Sequence, residues 1–157
     1  METRRLPLSI SRMFFGVCGF WLIGLGLYFM FVRPALLPED LRFVGARPAE
    51  IQLVVPGLAR WLHRVFTVMG GFITGAGLLT IVAVANASAL RQRWSGIMLA
   101  LAGLFTVGTM SVTNFQLNSD FRWLLLMPSA IWSVGLASLA LTRRTDDGAS
   151  FDSMGSA

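Results

Sequence analysis

The side chains that could do chemistry in this chain fall into two small groups. Glu39 and Asp40 are adjacent acids, followed by Arg42 and then by Arg60, His63 and Arg64. Asn114, Gln116, Asp120 and Arg122 make a second polar group much further along. Paired carboxylates serve general acid–base catalysis when their pKa values are pushed apart. Neighbouring residues on a helix do not face one another, so Glu39 and Asp40 read first as helix-start charges and only second as a catalytic pair. His63 is the only histidine. A metal ligand or proton shuttle is its functional reading, but no His or Cys stands at ligand spacing, so no metal or cofactor is expected. Arg60 and Arg64 lie one helical turn apart and repel mildly. They call for anions, either Glu39, Asp40 and Glu50 or lipid phosphates. Asn114 and Gln116 read as turn and cap residues, with ligand coordination as the alternative.

What must position these groups is set by the distribution of charge. Of 157 residues, 55% are hydrophobic and 13% charged, against about 25% charged in ordinary soluble domains. Residues 13–32, 65–90, 94–119 and 123–142 carry no charge. A helix of about 20 apolar residues crosses a bilayer core of about 30 Å. The expected fold is therefore an all-α integral membrane protein of four transmembrane helices, over about 12–32, 58–87, 94–115 and 120–142. They form one domain, 1–144, with a disordered tail over 145–157. The first run is too long for a signal-peptide core and ends in Phe31-Val32-Arg33-Pro34, without a small-residue cleavage pattern. All 13 basic residues are arginine and sit at segment ends, where they can reach headgroups. The basic balance therefore points to lipid and not to nucleic acid. Cys18 is the lone cysteine, so an internal disulfide is impossible.

The connector, 33–57, carries its own signals. Pro38 and Pro48 suit first helical positions. Glu39, Asp40 and Glu50 fall in first turns, where the helix dipole favours acids, and Gly45 suits a left-handed cap. Two short surface helices are expected. In the second long helix Gly71 and Gly75 form a GxxxG element, a candidate packing face. In the third, Ala102, Thr106, Met110 and Thr113 form a stripe suited to facing the bundle. In the fourth, Pro128 implies a kink, and Asn118, Ser119 or Asp120 can cap the start.

Four spans put both termini on one side with seven arginines, against six on the connector side. The slight excess, and its position ahead of the first helix, leads us to expect both termini in the cytoplasm, and the all-arginine usage leads us to expect a bacterial inner membrane. The connector and the 114–123 turn then share a face. The junction of Glu39 and Asp40, Arg60-His63-Arg64 and that turn is the candidate site. The chain has no nucleotide-binding, nucleophile-elbow or zinc-protease motif, and no charge in mid-span of the kind ion pathways use. The leading expectation is an interaction component that packs with itself or another membrane protein. A binder or transporter of lipid or a small apolar molecule comes next, and then a membrane enzyme using Glu39, Asp40 or His63.

Overall fold

The computed structural model describes residues 6–86, 88, 90 and 92–154, apart from the side chains at 6–8 and 145–154. Six continuous helices run through these residues. They are α1 (Leu6–Phe31), α2 (Pro38–Val44), α3 (Pro48–Val54), α4 (Leu58–Ala85), α5 (Arg93–Gln116) and α6 (Arg122–Met154). No strand occurs among the described residues. Four helices, α1, α4, α5 and α6, are long and apolar enough to cross a membrane. The backbone over 145–154, expected as part of a disordered tail, continues α6 as helix to Met154, while 155–157 lie outside the described residues.

Helix α1 is the hub. It packs along α4 on one side and α6 on another, and α6 in turn carries α5. The α1–α4 contact is a close, antiparallel approach of backbones. A Cβ added at Gly70 would lie 2.5 Å from the Gly26 carbonyl oxygen, and one at Gly77 would lie 2.7 Å from that of Gly19. In both helices the paired glycines are seven residues apart, so a single side of each helix is kept bare. The GxxxG face expected from sequence is not the one used inside the chain. A Cβ added at Gly71 or Gly75 would meet no atom within 4 Å beyond the nearby backbone of its own helix. The rotation of α4 that seats Gly70 and Gly77 on α1 turns Gly71 and Gly75 outward.

The core on the other side of α1 is built from Phe15, Cys18 and Leu22 against Leu99, Val107, Trp132 and Leu139. Phe15 meets Trp132 edge-on at 5.1 Å between centroids, and bare Gly135 makes room for the Phe15 ring. Gly103 does the same for Trp132, whose Nε1 donates to the Leu99 carbonyl at 3.0 Å. That contact fixes the rotation of α5. Its buried stripe is Leu99, Gly103, Val107 and Ser111. The expected stripe of Ala102, Thr106, Met110 and Thr113 lies beside it, with Thr113 exposed.

Helix α5 changes pitch over Leu104–Gly108, where it winds as a π-helix. Ser129 of α6 donates to Val107 O in this stretch, at 2.8 Å. Ser111 donates to Leu125 O at 3.0 Å. These hydroxyls sit next to Pro128, through which α6 continues without a break. Helices α4 and α5 do not pack along their lengths. The bundle is open there, with a cleft of about 410 Å³ between them, backed by Leu22 and Trp132.

Candidate functional site

The two connector helices are fixed by the same local device. In each, proline occupies the first helical position and an acid two residues later turns back to a free amide. The Leu37 amide donates to Asp40 Oδ2 at 2.8 Å, and the Arg47 amide donates to Glu50 Oε2 at 2.9 Å. Gly45, at φ 70°, closes α2 with its amide on Leu41 O. Positive φ is where glycine has no steric penalty.

Asp40 has a second partner, Arg33, at 3.0 Å. The Arg33 side chain is 8% exposed. Its guanidinium lies 3.7 Å from the Phe66 ring centroid and 5.3 Å from that of Phe29. Phe29 and Phe66 themselves pack edge-on. One arginine thus ties the end of α1, the start of α2 and the first turns of α4 through an ion pair and cation–π contacts.

Glu39 points the other way. It accepts from Ser119 Oγ at 3.0 Å and from the Asp120 amide at 2.9 Å, in the turn between α5 and α6. Beside it, Arg42 pairs with Asp120 at 2.8 Å, with both side chains well exposed. Ser119 is buried, and its Oγ also accepts from the Phe121 amide at 3.1 Å. Arg122 donates to Asn118, a residue at φ 49°, a conformation that asparagine tolerates. Asn114 donates to Met110 O within its own helix. Gln116 is exposed at the end of α5.

The structure therefore brings together Glu39, Arg42, Asp120 and the turn. Ser119 joins them as a contact residue that sequence reasoning treated only as one of three possible caps. It does not bring Arg60, His63 and Arg64 to that junction. All three connector acids are engaged elsewhere: Glu39 on the turn, Asp40 on Arg33, and Glu50 on the Arg47 amide. Arg60 and Arg64 instead line an open hollow of about 420 Å³ at the start of α4, with Pro56, Gly57 and Trp61. His63 is exposed beside them, and its carbonyl accepts from Thr67. Glu39 and Asp40 are held by different partners and do not pair with each other. No group of three or more His, Cys, Asp or Glu residues is placed to hold a metal among the described residues.

At the opposite end of the bundle, arginines cap carbonyls. Arg12 Nε donates to Val84 O at 2.9 Å, in the last turn of α4. Arg143 Nη2 donates to Leu90 O at 2.9 Å and to Gln92 O at 2.6 Å, with its guanidinium laid against Gly96. A cation in the last turn of α4 is favoured by both the dipole and the unpaired acceptors, whereas Arg143 satisfies carbonyls just ahead of α5. No family model, curated protein or solved structure matches this chain.

Proposed function

We propose that the chain is a multi-pass integral membrane protein that works by associating within the bilayer, as an interaction component with no reaction of its own. One observation carries this reading: an unused packing face on α4. Val68, Gly71, Gly75, Leu78 and Val82 recur at alternating spacings of three and four. Val68 is 61% exposed, Leu78 54% and Val82 65%, and a Cβ added at either glycine between them would meet no atom within 4 Å beyond the nearby backbone of its own helix. Small residues at such spacing let membrane helices approach closely, as Gly70 and Gly77 already do against α1. The partner is another copy of the chain or another membrane protein.

The test uses Leu78→Cys in a Cys18→Ser background and cross-linking in native membranes. Cross-linked products are expected, and Gly71→Leu with Gly75→Leu should reduce them at least about tenfold, a loss of about 1.4 kcal/mol in association. A strictly monomeric chain with no cross-linked product would sink the reading. In the same reading the protein sits in a bacterial inner membrane with both termini in the cytoplasm. Labelling of Thr3→Cys from outside, with Ala46→Cys protected, would reverse that orientation.

A second reading, binding of a lipid chain or a small apolar molecule, is favoured by the α4–α5 cleft. Its Thr80, Thr106 and Trp132 direct their donors to the carbonyls of Ala76, Ala102 and Leu99, which leaves an apolar wall. Ala76→Phe with Ala102→Phe should fill the cleft and lower the number of lipids that co-purify. An unchanged number would remove this reading.

A further inference from the structure

We propose that the hollow at the start of α4 is a phosphate-binding site, with Arg60 and Arg64 as its two cationic ligands. The observations come from the partners of the arginines. On the connector side Arg33 pairs with Asp40, Arg42 with Asp120, and Arg122 with Asn118. Arg60 and Arg64 have no side-chain partner among the described residues, yet both line one hollow of about 420 Å³. Two guanidiniums a turn apart on one helix repel unless an anion lies between them. Their planar forks match a phosphate's oxygens, and two forks can share one phosphate. Gly57, which also lines the hollow, precedes α4 without a side-chain cap. The start of a 28-residue helix therefore borders the same space and adds the positive end of its dipole. Trp61, on the rim, is 61% exposed, as suits a ring at headgroup level. The phosphate comes from an anionic lipid headgroup or from a free phosphate. The lipid source rests on the membrane-spanning reading and is independent of any partner on the glycine face.

The test compares lipid retention by native mass spectrometry after exchange into vesicles of phosphatidylglycerol or of phosphatidylcholine. The expected result is preferential retention of phosphatidylglycerol. Arg60→Gln with Arg64→Gln should lower it about tenfold, the scale for losing charge-assisted hydrogen bonds, and leave phosphatidylcholine unchanged. Arg60→Lys with Arg64→Lys should fall between, since charge is kept and the forks are lost. Arg47→Gln removes another exposed, unpaired arginine of the connector and should change nothing. An equal loss in Arg47→Gln would show general surface charge and overturn the site. So would full retention in the double Gln variant. Inorganic phosphate that displaces phosphatidylglycerol, or binds wild type but not the double variant, assigns the site to the phosphate group itself. If it does neither while lipid binding depends on the arginines, the source is the lipid headgroup. Extraction of wild type from membranes by alkaline carbonate marks failure of the membrane reading, as distinct from failure of the site.

Discussion

Two neighbouring glycines on α4 should respond oppositely to the same substitution. At Gly70 an added methyl would meet the Gly26 carbonyl oxygen at 2.5 Å, Met30 Cγ at 2.6 Å and the Met30 amide nitrogen at 2.9 Å. Two of these three neighbours are backbone atoms, so α1 itself must move away. Overpacking typically costs about 1–3 kcal/mol, and a backbone clash belongs near the upper end. Alanine recovers about 1 kcal/mol of helix propensity. Gly70→Ala should then destabilise by about 2 kcal/mol, or about 30-fold in the folding equilibrium. At Gly71 an added methyl would meet no atom within 4 Å beyond the nearby backbone of its own helix, so Gly71→Ala should be neutral or stabilising by up to about 1 kcal/mol. The adjacent variants should therefore differ by about 2–3 kcal/mol, at least about 30-fold. Unfolding of each variant by SDS titration in mixed micelles measures the difference. Stabilities within about 0.5 kcal/mol of each other would refute the assignment of the α1–α4 contact to Gly70.

Further outcomes follow from the polar contacts. Asp40→Ala should cost about 3 kcal/mol in the same titration, because it strands the buried Arg33 guanidinium and removes the bond to the Leu37 amide. Arg42→Ala should cost less than about 1 kcal/mol, since its pair with Asp120 is exposed. Glu39→Ala should release α2 from the α5–α6 turn, speeding protease cleavage of the connector while the four long helices keep their helical signal by circular dichroism. Glu39→Gln, which can still accept the Ser119 hydroxyl, should lie in between. Trp132→Phe should lose about 1–2 kcal/mol through the missing bond to Leu99 O and the gap beside Gly103, read by the same SDS titration.

Much of the helix pattern is legible in the charge-free runs, because each apolar run is bounded by arginine, proline or a polar turn. Expected bounds of 58–87 and 94–115 stand beside observed helices Leu58–Ala85 and Arg93–Gln116. The connector helices are legible too, since Pro38, Pro48 and Gly45 act through local backbone geometry. Rotation of each helix about its axis is not local. Gly70 and Gly71 look alike in sequence, and only α1, with its own glycines at 19 and 26, decides which is used. The seven-residue interval shared by 19/26 and 70/77 was the available signal. The destination of the acids was equally non-local. Glu39 could have met Arg60 or the far turn, and packing of α2 sent it to Ser119 and Asp120. The π-turn has no signature of its own, for it accompanies the contacts of Val107, Ser111 and Ser129 across two helices.

The order of packing has a consequence for how the chain is made. Helices α1 and α4 form one hairpin around the connector, and α5 and α6 form a second around the turn. The hairpins meet chiefly where α1 touches α6. During synthesis the first hairpin is complete while Phe15, Cys18 and Leu22 still lack Trp132 and Leu139. Under the membrane-spanning reading proposed above, half of α1 then waits against lipid, a tolerable neighbour for an apolar surface, until the last helix arrives. Arg143, at the end of the apolar span of that helix, is what finally grips the carbonyls of Leu90 and Gln92 between the hairpins. A chain cut at that linker and co-expressed as two halves should reassemble, and a second half that stops short of Arg143 should join its mate more weakly.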